Sequence, residues 1–172
     1  MSKKIIGFII AVIIIAVIVA IVVFTNKGDN NTVESNGSAE STYSVKYDGV
    51  EIVPGTEFNA DNIKKEAIFS EIPSCAFNGT DKVYTYDNAE ITVATINGKD
   101  TVYSVYFIDD GIETSEGVKI TDTKDKMIEK YGTEYKEELG NQFTYTKGNV
   151  ELSFNVENDI VVGIVYTLIT SE

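Results

Sequence analysis

Asp109-Asp110-Gly111-Ile112-Glu113-Thr114-Ser115-Glu116 is where the chain concentrates groups able to do chemistry, with carboxylates at 109, 110, 113 and 116. Oxygen donors of this kind suit calcium, which takes six to eight of them. The alternating ligand spacing of an EF-hand loop is missing, so the stretch reads first as a plain acidic connector. Cys75 is the single cysteine and there is no histidine. With no imidazole to take its proton, Cys75 reads as a small buried residue rather than a nucleophile. Acid–base work could rest only on carboxylates, tyrosine or lysine, because tryptophan is also absent and every basic residue is a lysine. No glycine-rich phosphate loop, serine elbow or Cys/His metal spacing occurs. The expectation is a protein with no catalytic residues, no metal site and no cofactor.

Such residues need a scaffold, and the chain begins with an apolar one. Ile5 to Phe24 is an uncharged run of Ile, Val, Ala and Phe interrupted only by Gly7. As a helix it would be about 30 Å long, the thickness of a bilayer core. Lys3 and Lys4 precede it, so the positive-inside rule predicts a short cytoplasmic N-terminus and a domain outside. Residues 1–25 are therefore expected to be a single-pass anchor with the lipid bilayer as partner, placing the protein at the cell membrane. A cleaved secretory signal is the competing reading, with Ile18-Val19-Ala20 as a weak site. Residues 26–42 are polar and read as a flexible stalk, and residues 43–172 as the folded part. Beyond the run, 11 lysines (Lys27 excluded) face 27 carboxylates, a net −16. That field repels nucleic acid, which is excluded as a partner. Lysine without arginine, with abundant Asn, Ile and Tyr, suggests an AT-rich bacterial genome.

Within the folded part, Asp48-Gly49 between Tyr43–Tyr47 and Val50–Val53 is a strong hairpin signal. Asn59 or Asp61 can cap a helix carrying Ile63, Ala67 and Ile68, stopping before Pro73. Strands are predicted at Val83–Asp87, Ala89–Ile96 and Thr101–Ile108. Thr123 can cap a second helix with Met127, Ile128 and Tyr131 on one face and Gly132 as its C-terminal stop. Three more strands follow at Gln142–Thr146, Asn149–Val156 and Ile160–Ile169. Sliding the chain by 59 residues lays Tyr84-Thr85-Tyr86 on Phe143-Thr144-Tyr145, Ile91 and Val93 on Val150 and Leu152, and Val102–Phe107 on Val161–Tyr166. The expected fold is thus α+β: an N-terminal transmembrane helix, then two helix-plus-three-strand repeats, about 59–108 and 118–169. They would form one antiparallel sheet with helices on one face.

Gly117-Val-Lys-Ile-Thr-Asp-Thr-Lys-Asp-Lys-Met-Ile-Glu-Lys-Tyr-Gly132 is a Gly-hydrophobic-x-hydrophobic lead, a capped amphipathic helix and a closing Tyr-Gly. It resembles the repeat of the β-lactamase-inhibitor-protein-like and outer-membrane-assembly-lipoprotein-like folds. Glu71 to Tyr86 resembles a stretch of uncharacterised clostridial cell-surface lipoproteins. The resemblance implies helices packed on one face of an antiparallel sheet whose other face binds protein. The chain departs from these relatives in lacking a lipid-acceptor cysteine and the cross-linking cysteines of some inhibitors, so inhibitor activity is not carried over.

Strand alternation then divides inside from outside. Ile160, Val162, Ile164, Tyr166 and Leu168 are expected to form the core face, with Tyr103, Val105 and Phe107 matching them. The opposite face would carry Val102, Ser104, Tyr106, Ile108, Val161, Val165 and Thr167, near Thr85, Thr92, Thr144 and Ser153. A Thr- and Ser-rich face with a central tyrosine resembles a binding surface with a polar rim. The function expected is a non-catalytic binding module for an extracellular protein or envelope component. The alternatives are a structural subunit of a membrane complex and a carboxylate- or tyrosine-based envelope hydrolase.

Overall fold

In the computed structural model, which describes residues 42–138 and 141–170, Asp48 and Gly49 adopt positive φ of 48° and 81°. They close β1 (Val45–Tyr47) onto β2 (Val50–Ile52). A two-residue turn matching strand twist needs positive φ at both positions, which Asp-Gly tolerates. Asn97 (φ 53°) and Gly98 (φ 77°) do the same between β5 (Ala89–Ile96) and β6 (Lys99–Phe107). The other strands are β3 (Ile68–Pro73), β4 (Thr80–Thr85), β7 (Lys136–Glu138), β8 (Gln142–Lys147), β9 (Val150–Glu157) and β10 (Ile160–Leu168). Apart from the β1–β2 pair they make one eight-stranded antiparallel sheet in the order β3-β4-β5-β6-β10-β9-β8-β7. Two four-stranded meanders thus meet at β6 and β10, where Tyr106 lies opposite Val165.

The helix content departs from expectation. The one α-helix among the described residues, α1 (Lys124–Tyr131), is capped by Thr123, whose hydroxyl accepts from Lys126 N–H, and ends at Gly132. It buries Met127 alone. The earlier helix does not form: Asn59 caps a three-residue 3-10 turn, Ala60–Asn62, and Ile63 is already extended. Its apolar residues Ile63, Ala67 and Ile68 make too narrow a stripe to hold a helix, and Ile68 pairs with Thr85 in β3 instead. The α+β arrangement of paired helices over a repeat sheet is therefore corrected to a mostly β domain. Its core face is covered chiefly by β1–β2, by the 53–67 segment around Ile63, and by the connector residues Ile112 and Val118.

The membrane reading is corrected too. Among the described residues no helix is long and apolar enough to cross a bilayer; α1 has eight residues, about 12 Å against the ~30 Å required. The expected anchor Ile5–Phe24 and the stalk up to residue 41 lie outside the described residues. Single-pass localisation and the bilayer as partner therefore have no supporting helix in this structure. Cys75, expected to be buried, is exposed in the β3–β4 loop, where Ser74 N–H donates to Gly79 O at 3.0 Å.

The strand phase is corrected by two β-bulges. In β10 the register passes from Val161↔Val156 to Gly163↔Asn155, leaving Val162 as the extra residue. In β6 it passes from Val102↔Val93 to Ser104↔Thr92, leaving Tyr103 extra. One added residue flips the pleat. Val161 and Val102 are consequently buried at 0% and 1% exposure, while Val162 and Ile160 stand out at 40% and 36%. Beyond the bulges the phase is as expected, with Val105, Phe107, Ile164 and Tyr166 buried and the Phe107 and Tyr166 rings 5.9 Å apart. The uniform 59-residue shift also breaks at β5: Ile91 pairs with Val105 and Phe154 with Ile164. Phe154, not Val150, thus occupies the place of Ile91.

The bulge separates two adjacent valines that a strict alternation would misplace. Val161→Lys should cost at least about 3 kcal/mol in urea denaturation, because it buries a charge. Val162→Lys should stay within about 0.5 kcal/mol.

Candidate functional site

Pairing registers define the face turned away from the core. Ile68, Thr85, Glu90, Tyr106, Val165, Ser153, Thr144 and Lys136 form one cross-strand row over all eight strands. A second row holds Ser70, Val83, Thr92, Ser104, Thr167, Glu151 and Thr146. Of the predicted site residues, Ser104, Tyr106, Val165 and Thr167 come together here, and Ile108 follows at the end of β6. Val102 and Val161 do not: they belong to the core, for the reason given by the bulges. The neighbours expected at Thr85, Thr92, Thr144 and Ser153 do lie on this face. Thr144 and Ser153 share a hydroxyl hydrogen bond of 2.9 Å.

Apolar exposure is concentrated at two places. Tyr106, Ile108 and Val162 stand 43%, 41% and 40% exposed around the middle of the sheet. At its edge, all six residues of β3 are exposed, with Ile68 at 76%, Phe69 at 53% and Ile72 at 45%. Phe69 retains one aromatic neighbour, Tyr84, at 5.3 Å. The two edges differ in kind. β7 is three charged residues, Lys136-Glu137-Glu138, a blunted edge that resists further pairing. β3 is longer and apolar, with a single charge at Glu71. Opposite Ile72 sits Asp81, 4% exposed and with Oδ1 lacking a hydrogen-bond partner. Sequence reasoning missed this edge, because Ile68-Phe69-Ser70-Glu71-Ile72 does not alternate and becomes a strand only by pairing with β4.

The chemistry-bearing residues are otherwise committed to structure. Asp109 accepts from Gly111 N–H at 2.8 Å and from Asn88 Nδ2 at 2.9 and 3.0 Å. The Gly111 bond, then the Asn88 bond, holds its carboxyl below the usual range. Among the described residues no three acidic, cysteine or histidine side chains converge as a metal site. Tyr131 donates to Glu116 and Tyr145 to Gly132 O at 2.9 Å. Burial, the largest cause in each, raises Tyr131 and Tyr166 far above the ordinary tyrosine value and pushes Tyr145 up to about 12. Tyrosines so placed stay neutral and serve packing.

Set against protein-family models, curated proteins and solved structures, the chain matches none. The likeness to inhibitor-like and assembly-lipoprotein-like repeats therefore rests on the motif residues alone.

These tyrosines make stability fall in alkali. An unfolded tyrosine ionises near pH ~10, whereas the folded protein holds Tyr145 neutral to about 12. The stabilisation is fully present below pH ~10 and lost as pH rises through the folded value, because only the unfolded chain releases its protons in between. Urea midpoints should be insensitive to tyrosine between pH ~7 and ~9 and drop above ~10. Tyr145→Phe should make that drop shallower.

Proposed function

We propose that the domain is a non-catalytic binding module for another protein, docked along the open sheet face from Tyr106 to the β3 edge. The observation that carries this is the β3 edge itself, six exposed residues with three large apolar side chains at one end of an eight-stranded sheet. An edge of this kind invites strand addition: unpaired backbone groups give affinity, and alternate side chains give specificity. Tyr106, Ile108 and Val162 extend the contact inward as an apolar centre within Thr, Ser and Glu.

Charge selects the partner. From residue 42 onward the chain has 11 lysines against 24 carboxylates, a net −13. A second copy would be repelled, and Glu71 would face its like in or near the new pairing. An extended segment bearing lysine or arginine beside apolar residues is complementary to that charge.

The full chain, immobilised as wild type, Tyr106→Ala and Ile72→Glu, should separate specific from incidental partners. A basic protein held by the wild type should be weakened by about 1–2 kcal/mol or more in Tyr106→Ala, with folding unchanged. Its binding should also fall with added salt. Equal capture by all three forms would remove both the face and the edge as the contact.

A further inference from the structure

A cleft of about 750 Å³ lies between the β1–β2 hairpin and the 108–123 connector. That volume falls in the range of sites for small organic molecules. Its walls are fixed by close backbone contacts. The Asp48 carboxylate accepts from Lys64 N–H at 2.8 Å, which pins the hairpin tip. On the other side Gly111 approaches Asn88 so closely that a Cβ would stand 2.4 Å from Asn88 Nδ2. With Asn88 Nδ2 given to Asp109, its Oδ1 is left to accept from Lys65 Nζ at 3.3 Å. Lys65 also lies over the Tyr47 ring, 5.1 Å from the centroid.

Two features of the lining stand out against the rest of the domain. Lys46, Lys65 and Lys119 all line the cleft, and none belongs to the ion pairs found among the described residues, which use Lys82, Lys99, Lys126, Lys130 and Lys136. Asp48 and Glu113 also line it, so the cleft carries a net +1 on a domain of net −13 from residue 42 onward. The second feature is the way Lys65 is held: Asn88 Oδ1 and the face of the Tyr47 ring fix its ammonium at the cleft wall, over a Tyr47 hydroxyl that is itself closed off from solvent. A cation placed in advance loses less side-chain freedom when an anion binds.

We propose that this cleft binds a small organic carboxylate, its oxygens held by Lys46, Lys65 and Lys119 and its carbon skeleton against the Gly111-Ile112 wall. Charge-assisted hydrogen bonds from ammonium to carboxylate are the strong ones. The surrounding negative field turns away polyanions and anionic membranes, whose charges would extend beyond the cleft. A ligand with one or two carboxylates fits inside the positive patch. This site is separate from the sheet face and stands or falls without it.

The test is isothermal titration of the full chain at low salt with sodium benzoate, succinate and citrate. Benzamide and succinamide serve as neutral counterparts, and sodium chloride and inorganic phosphate as ionic controls. At least one carboxylate should bind one-to-one while its amide does not, with chloride and phosphate much weaker. Lys65→Met should lower the affinity at least about tenfold with an unchanged urea midpoint. Lys119→Met should weaken binding as well, again with an unchanged urea midpoint. Lys147→Met, outside the cleft, should bind as wild type does. The proposal is overturned if no carboxylate exceeds the chloride control, if phosphate binds as well as every carboxylate, or if Lys65→Met and Lys119→Met both bind unchanged.

Discussion

The pairing of β6 with β10 holds the architecture together, because it alone joins the two meanders into one sheet. Tyr106 opposes Val165, Val105 opposes Tyr166 and Ser104 opposes Thr167. Each pair commits one face: Val105 and Tyr166 point into the core, beside Phe107 and Ile164, and their neighbours point out. Were the register to slip by one residue, four fully buried side chains would turn to solvent. The strands flanking this seam inherit their phase from it, and so does the division between a covered and an open face.

The bulges at Tyr103 and Val162 are the second constraint. They sit 59 residues apart, Tyr103 three residues before Tyr106 and Val162 three before Val165, the two residues that face each other across the seam. A bulge increases local twist and re-aims side chains, which here turns Tyr103 and Val162 outward. Tyr103 meets Phe77 of the β3–β4 loop, their rings 5.6 Å apart, and that loop covers one end of the open face. Val162 has no such cover and remains part of the apolar centre. The same local device thus closes the surface in one half and leaves it open in the other.

Much of this was legible in the chain because it depends on near neighbours. Asp48-Gly49 and Asn97-Gly98 announce their hairpins, and Thr123 with Gly132 brackets α1, since cap and turn chemistry act over three or four residues. The strands at 89–96, 142–147 and 150–157 follow from alternation. What escaped depends on distant partners. β3 exists because β4 pairs with it, and β7 because β8 does; neither has enough local preference to declare itself. The bulge in β10 is invisible because Ile160-Val161-Val162-Gly163-Ile164 is apolar throughout and offers no polar residue to mark the change of phase. The central part of the open face could be read, but its edge at β3 could not. The lysine cleft was hidden as well, since Asn88 and Gly111 meet only once the sheet has formed.

The distribution of charge ties these parts together. In a domain with twice as many carboxylates as lysines, every lysine is a scarce means of offsetting repulsion. Pairs such as Lys82 with Asp100 at 2.6 Å and Lys126 with Asp122 at 2.7 Å use it in that way. Lys82 of β4 reaches across β5 to Asp100 of β6, and Lys126 joins α1 to the connector that precedes it. Lys46, Lys65 and Lys119 lie outside the ion pairs found among the described residues, although Asp48 and Glu113 line the same cleft. Asn88 holds Lys65 there, accepting from its ammonium while donating to Asp109, so the connector carboxylate is joined to the lysine through an amide rather than directly. Three lysines gathered without a direct acid partner offset less of the domain's self-repulsion than paired ones would, and that sets the cleft apart from the rest of the surface.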